Sequence, residues 1–255
     1  MRLDLFLVKK KLAVSRTQAQ DLIKAGHVTL HIDQKVIVLQ KTSFDVSPKQ
    51  ESGISVKENN LQKYVSRGGN KIEAAVSKLE IVIKGYTVLD VGQSTGGFTD
   101  FLLQNNAEKI VGFDVGHSQL HEKLRNVSQV VFFEGLHVKN LLEDVHFLKH
   151  VPEVGFDLIV MDLSFISITK VMVYLKPFLK KNGEYLFLVK PQFELTAQAL
   201  DGNGIVKESK FFDQVRANVE QEARNHFGRV ISYIPSELSG KDGNQEFFIY
   251  GRKTN

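Results

Sequence analysis

Four charged residues sit where apolar segments begin or end. They are Lys71 in "GGNKIEAA", Asp162 closing "FDLIVMD", Lys190 closing "EYLFLVK" and Glu246 opening "EFFIYG". Two amines and two carboxylates brought to one place can orient a hydroxyl nucleophile while it loses its proton. A lysine removes that proton if its pKa is lowered, or as an ammonium it stabilises the developing alkoxide; both roles stay open. The carboxylates would hold the lysines and set their protonation. Lys190 is the expected neighbour of the hydroxyl, with Asp162 steering it and Lys71 and Glu246 completing the network. No metal is called for, since the chain has no cysteine and its eight histidines show no ligand spacing.

The elements that must position this set follow from hydrophobic patterning. Seven short apolar runs, "YTVLDV", "KIVGFDV", "QVVFFE", "FDLIVMD", "EYLFLVK", "RVISYIP" and "EFFIYG", alternate with helical segments. Near-continuous apolar strands interleaved with helices predict a parallel sheet covered on both faces, hence an α/β, doubly wound, seven-stranded fold. Ligands of such folds lie outside the carboxyl ends of the strands, where the strand order switches. Asp162 and Lys190 fall on that edge. Glu246 joins them if the last strand runs antiparallel. Lys71 is expected to open the amphipathic helix "KIEAAVSKLEIV" after a flexible "SRGG".

The first of these strands runs into "DVGQSTGGFTD". Gly92, Gly96 and Gly97 do not match the G-x-G-x-x-G spacing that a pyrophosphate requires. They still mark close backbone approach to a ligand at a helix start, which favours a carboxylate. Asp90 lies on the first strand, and Asp114 ends the second, where an acid accepts hydrogen bonds from ribose hydroxyls. Two acids around a glycine loop suit S-adenosylmethionine, which carries an amine, a carboxylate and an adenosine but no phosphate. Ser94 of the loop, and Glu134 at the end of the third strand, are further candidate cofactor contacts.

Upstream the composition changes. Between Met1 and His31 the basic residues Arg2, Lys9, Lys10, Lys11, Arg16 and Lys24 outnumber Asp4 and Asp21 by four, equal to the +4 net charge of the whole chain. Helices are expected through Leu3, Phe6, Leu7 and Leu12, and from an N-cap at Ser15 to a stop at Gly26. A hairpin turning at Asp33–Gln34 follows. This basic module is expected to dock RNA, with Arg2, Lys9, Lys10, Arg16, Lys24 and Arg67 as candidate contacts. Residues 40–62 read as a linker or loose edge strand, which sets the domains at 1–62 and 63–255. No apolar run is long enough to cross a bilayer, and the N-terminus lacks the order of a secretory signal. A cytoplasmic protein without an obligate protein partner is expected.

Taken together, "SRTQAQDLIKAG", "YVSRGGNKIEAA", "LDVGQSTGGFTDFLL", "DLIVMDLSFISI", "LVKPQFEL" and "GNQEFFIY" resemble the TlyA (hemolysin A) family over nearly the whole chain. The resemblance implies a small α+β S4-type RNA-binding domain followed by an FtsJ-like, Rossmann-like methyltransferase domain. It also implies 2′-O-methylation of cytidine in ribosomal RNA, on ribosomal subunits, by a Lys-Asp-Lys-Glu tetrad that maps onto Lys71, Asp162, Lys190 and Glu246. The cofactor loop it implies, glycines followed by an aromatic, maps onto Asp90, Gly92, Gly96, Gly97 and Phe98. Three stretches depart from the family pattern: "EGLHVKN" from Glu134, "HSQLHE" from His117, and "LTAQALDGNG" after Glu194. These departures leave room for a second reading, a non-catalytic RNA-binding assembly factor. A membrane-active haemolysin is a third and is disfavoured by the missing spanning segment.

Overall fold

A computed structural model of the chain describes every residue except 14, 15, 34, 57–62, 241 and 255, and only the backbone of Thr17. The expected cap at Ser15, and Gln34 of the expected turn, lie outside the described residues. The chain divides into two compact units, Met1–Arg67 and Gly68–Asn255.

In the first unit, α1 (Leu3–Lys9) and α2 (Arg16–Lys24) precede an antiparallel sheet of β1 (Val28–Ile32), β2 (Lys35–Val38) and β3 (Ile54–Val56), ordered β2-β1-β3. Leu3, Phe6 and Leu7 share a core with Leu22, Ile23, Val28 and Leu30. Helix α1 stops at Lys9, so Leu12 reaches the core margin from the following turn rather than from the helix. Gly26, at φ 74, closes α2: its N–H donates to the Ile23 carbonyl and that of His27 to Leu22. Only a residue at ease in the left-handed region makes this cap cheaply. Residues 40–56 are more ordered than a linker. Val46 and Ile54 are buried, and β3 pairs with β1. Its three-residue alternation is too short to stand out from the polar sequence around it.

In the second unit, α3 (Arg67–Leu79) leads into β4 (Thr87–Val91), α4 (Gly97–Gln104), β5 (Lys109–Asp114), α5 (Glu122–Arg125), β6 (Val130–Glu134), α6 (Val145–Leu148) and β7 (Phe156–Met161). Then follow α7 (Thr169–Leu175), β8 (Leu179–Val189), α8 (Pro191–Glu194), α9 (Lys210–Phe227), β9 (Gly228–Pro235) and β10 (Phe247–Lys253). All seven strands form one sheet, ordered β6-β5-β4-β7-β8-β10-β9. Strands β4 to β8 are mutually parallel, and β10 runs antiparallel to both β8 and β9. Successive side chains of a strand take opposite faces. Leu89, Val91, Val111, Phe113, Ile159, Met161, Phe187 and Ile249 therefore pack beneath α7 and α9. On the other face Phe98 of α4 stacks on Phe248, with ring centroids 6.4 Å apart. Both faces are covered, and the strand order reverses between β4 and β7.

Candidate active site

Three of the four charged residues stand at the carboxyl edge of neighbouring strands. Asp162 follows β7, and its N–H donates to the Val91 carbonyl of β4 at 3.0 Å. Lys190 follows β8. Because Phe247 pairs with Val189, Glu246 lies one residue beyond that pair, opposite Lys190. The antiparallel course of β10 is what brings the beginning of the strand to this edge. Neighbouring strands lie about 4.8 Å apart, so Asp162, Lys190 and Glu246 occupy a short stretch of the rim.

Lys71 arrives from α3 and forms an ion pair with Glu246 in which the side chains are 10% and 3% exposed. The helix begins earlier than expected. Arg67, Gly68 and Gly69 of the "SRGG" stretch already belong to its first turn, where free N–H groups tolerate glycine. Lys71 is thus held within the helix, beside the buried Ile72 and Ala75. Lys190 Nζ lies 2.6 Å from Asp162 Oδ1 and donates to Ser164 Oγ at 3.0 Å. Two amine–carboxylate pairs, each drawn from segments far apart in the chain, are brought to one rim.

Glycines leave the room these pairs need. A Cβ on Gly240 would lie 2.7 Å from Glu246 Oε1. At Gly92, with φ 80, a Cβ would lie 2.5 Å from the Asp162 carbonyl oxygen. Gly96, at φ 88, is the N-cap of α4, and a Cβ there would strike Leu124. Gly97 is the first residue of that helix.

Beside the rim lies a cavity of about 300 Å³, walled by Val91 and Gly92 at the end of β4, Phe113, Asp114 and Val115 at the end of β5, and Leu163, Ser164 and Ile166 after β7. His137 and Val138, from the "EGLHVKN" departure, also line it. The volume is at the small end of ligand sites, and the mostly apolar wall suits a flat heterocycle. Half-buried Asp114 accepts hydrogen bonds from Gly116 N–H at 2.7 Å and Ser94 N–H at 2.9 Å. Ser94 itself takes a left-handed backbone, φ 46, to reach it. Asp90 is 1% exposed; Thr99 Oγ1 donates to its Oδ2 at 2.6 Å, while its Oδ1 is buried with no hydrogen-bond partner among the described residues. Burial pushes its pKa up to about 7, against the Thr99 hydroxyl and with help from the charges of Asp162 and Asp114. An orphaned buried carboxylate oxygen, a glycine whose Cβ site is filled and an apolar cavity with one acid on its wall fit an amine-bearing nucleoside such as S-adenosylmethionine.

Two expected cofactor contacts are placed differently. The Phe98 ring is buried against Phe248, because its helical position turns it into the core, where it anchors α4. Glu134 Oε1 accepts from the N–H groups of Gln119 and Leu120 and from Arg125 Nη2, so it braces the loop after β5. Burial opposes ionisation there, but these donors hold its pKa down to about 2.

Several residues were missed in the sequence. Ser164 receives the Lys190 bond, and Glu194 accepts from Ser167 Oγ and Ile168 N–H, tying α8 to the loop that follows Asp162. Phe165 is 90% exposed, at φ 66, with its ring 5.2 Å from that of Phe193. The only signal was that "DLSFIS" and "KPQFE" immediately follow the two charged strand ends. Buried Asn244 fixes the approach to Glu246, accepting from Val206 N–H and donating to the Gly204 carbonyl within the third departing stretch.

Of the candidate RNA contacts, Lys9 and Lys24 are exposed in the last turns of α1 and α2, and Lys10 pairs with Glu51 at 2.9 Å. Arg2 and Arg16 both bond Asp4, at 3.0 Å. Arg67 opens α3. Among the described residues no group of histidine, aspartate and glutamate side chains could hold a metal ion, and no helix is long and apolar enough to cross a membrane.

The chain is similar to known proteins over both of its units. Residues 64–253 match the FtsJ-like methyltransferase family and residues 1–37 the S4 domain. The chain is 34% identical over 250 residues to Hemolysin A of Brachyspira hyodysenteriae, covering 98% of this chain and 99% of the relative. It is 33% identical over 253 residues to the 16S/23S rRNA (cytidine-2'-O)-methyltransferase TlyA of Mycobacterium tuberculosis, covering 98% and 89%. A putative hemolysin from Streptococcus thermophilus superposes with TM-score 0.75 and 32% identity over 100% of this chain and 89% of that one. The chain belongs to the FtsJ-like methyltransferases, within the hemolysin A/TlyA family that joins such a domain to an S4 domain.

Proposed function

We propose that the chain transfers a methyl group from S-adenosylmethionine to a ribose 2′-hydroxyl of ribosomal RNA, with cytidine as the target nucleoside. The observation that carries this reading is the pairing of Lys71 with Glu246 and Lys190 with Asp162 on one rim beside a nucleoside-sized cavity. When bound, S-adenosylmethionine supplies an electrophilic methyl on a sulfonium. Asp114 and Gly92 would hold its adenosine end and Asp90 Oδ1 its ammonium. Lys190, fixed by Asp162 and Ser164, orients the hydroxyl and either takes its proton or stabilises the alkoxide that forms. Lys71 and Glu246 keep that edge electrically balanced. The exposed Phe165 ring offers an unstacked base a surface. RNA is preferred to DNA because only RNA carries the acceptor hydroxyl.

Relatives support the substrate class: TlyA of Mycobacterium tuberculosis and a 23S rRNA (cytidine-2'-O)-methyltransferase TlyA of Campylobacter jejuni, 32% identical over 266 residues, are named for it. The S4 domain, residues 1–62 with Arg2, Lys9, Lys10, Arg16 and Lys24, would dock the RNA, and the cell compartment would be the cytoplasm. The test is methyl transfer from labelled S-adenosylmethionine to purified ribosomal subunits, followed by mapping of the modified riboses. Cofactor and RNA binding without transfer would overturn the enzymatic reading in favour of an assembly factor. Transfer to a base rather than a ribose would overturn the assignment of the acceptor.

A further inference from the structure

We propose that Asp4 is a positioning residue that locks Arg2 and Arg16 into a two-pronged clamp for one stretch of RNA phosphate backbone; this rests on RNA being the partner of the first unit. The Asp4 side chain is fully buried. Oδ1 accepts from Leu5 N–H at 3.0 Å and Arg2 Nε at 3.1 Å. Oδ2 accepts from Arg2 Nη2 at 3.0 Å, Arg16 Nε at 3.0 Å and Gln20 Nε2 at 3.1 Å.

A buried carboxylate is expensive unless it is fully bonded, and an acid among RNA-docking arginines lowers the positive charge offered to phosphate. Here the five donors come from the start of α1 and from α2, so the carboxylate fixes two helices and two guanidiniums at once. Since Arg2 Nη2 and Arg16 Nε bond the same oxygen, they lie at most about 6 Å apart. Left alone, like charges at that separation would splay. Asp4 engages only one edge of Arg2 and the Nε of Arg16, and the two side chains remain 45% and 54% exposed. The guanidinium edges not turned to Asp4 are rigid forks of the kind that grip phosphate oxygens in pairs. The Arg2 bonds above all, then those from Gln20 and Arg16, hold the Asp4 carboxyl far below the usual carboxylate range, so the clamp stays set at every physiological pH.

Charge counting and the clamp predict opposite signs. Asp4→Asn removes a negative charge, which by net charge alone should tighten RNA binding. The clamp predicts that the full-length variant binds purified ribosomal RNA about tenfold more weakly. It also predicts that the slope of log affinity against log salt shrinks by about one, as for a lost phosphate contact. Arg16→Lys, which keeps the charge but loses the Nε bond, should show the same loss of slope. Asp45→Asn, removing an acid whose side chain is 85% exposed in the same unit, should leave affinity equal or higher. Folding is checked by thermal unfolding. A folded Asp4→Asn variant that binds as tightly as the parent with an unchanged slope overturns the proposal. If Asp4→Asn does not fold, native affinity and slope in Arg16→Lys overturn it instead. In methylation assays on ribosomal subunits both variants should raise the KM for RNA more than they lower kcat. Parental transfer with an unaltered salt slope in the variants defeats the clamp alone, whereas a parent that neither binds nor methylates ribosomal RNA defeats the functional reading as well.

Discussion

Replacing Asp90 by asparagine tests whether the loop after β4 is built to receive a cation. Asp90 is 1% exposed and, among the described residues, is bonded only through Oδ2. Its pKa, raised from the ordinary 3.8 to about 7, means that folding favours the protonated carboxyl. Stability is therefore highest below pH 4 as far as this group is concerned, declines through the window from 4 to 7, and levels off above it. At about 1.4 kcal/mol per pH unit, the full penalty is about 4 kcal/mol, of which about 1.5 kcal/mol has accrued by pH 5. Urea unfolding of the cofactor-free protein should thus show the parent losing about 2–3 kcal/mol between pH 5 and 8 relative to Asp90→Asn. Calorimetry adds a second readout. A cofactor ammonium beside Oδ1 would draw the proton off, so binding at pH 6 should release a proton from the parent and none from the variant. Parallel stability curves and identical proton release would refute the reasoning.

Three further outcomes are expected. Lys190→Ala should lower methyl transfer by about a hundredfold or more while cofactor affinity by calorimetry stays near the parent's. Lys71→Met leaves Glu246 buried without its cation and should cost about 3–5 kcal/mol in urea unfolding, most of it recovered by adding Glu246→Gln. Gly240→Ala places a methyl 2.7 Å from Glu246 Oε1 and should reduce kcat about tenfold through misplacement of the carboxylate, with cofactor affinity unchanged.

The strand ends were legible because a parallel sheet buried on both faces leaves almost continuous apolar runs, and a charge that stops such a run marks the rim. Asp162 and Lys190 could be assigned to one edge on that ground alone, and Glu246 once β10 was taken as antiparallel. The start of α3 was not legible, since the glycines of "SRGG" read as loop but lie in a first turn. The burial of the Phe98 ring was not legible because loop residues near a ligand and residues entering the core look alike until helix phase is known. The role of Asp4 was hidden by counting it as one negative charge among six positive ones. Its meaning lies in bonds to Arg16 and Gln20, twelve and sixteen residues away. Ser164, Glu194 and the His137 wall depend on how loops from different strands meet, which local pattern does not encode.

Lys71 and Glu246 are separated by 175 positions, and the acid enters on the final strand of the sheet. During synthesis the helix bearing the lysine emerges long before its counter-ion exists. Nascent or prematurely terminated chains lacking the β10 segment would therefore carry an unmatched ammonium where the finished sheet has an ion pair.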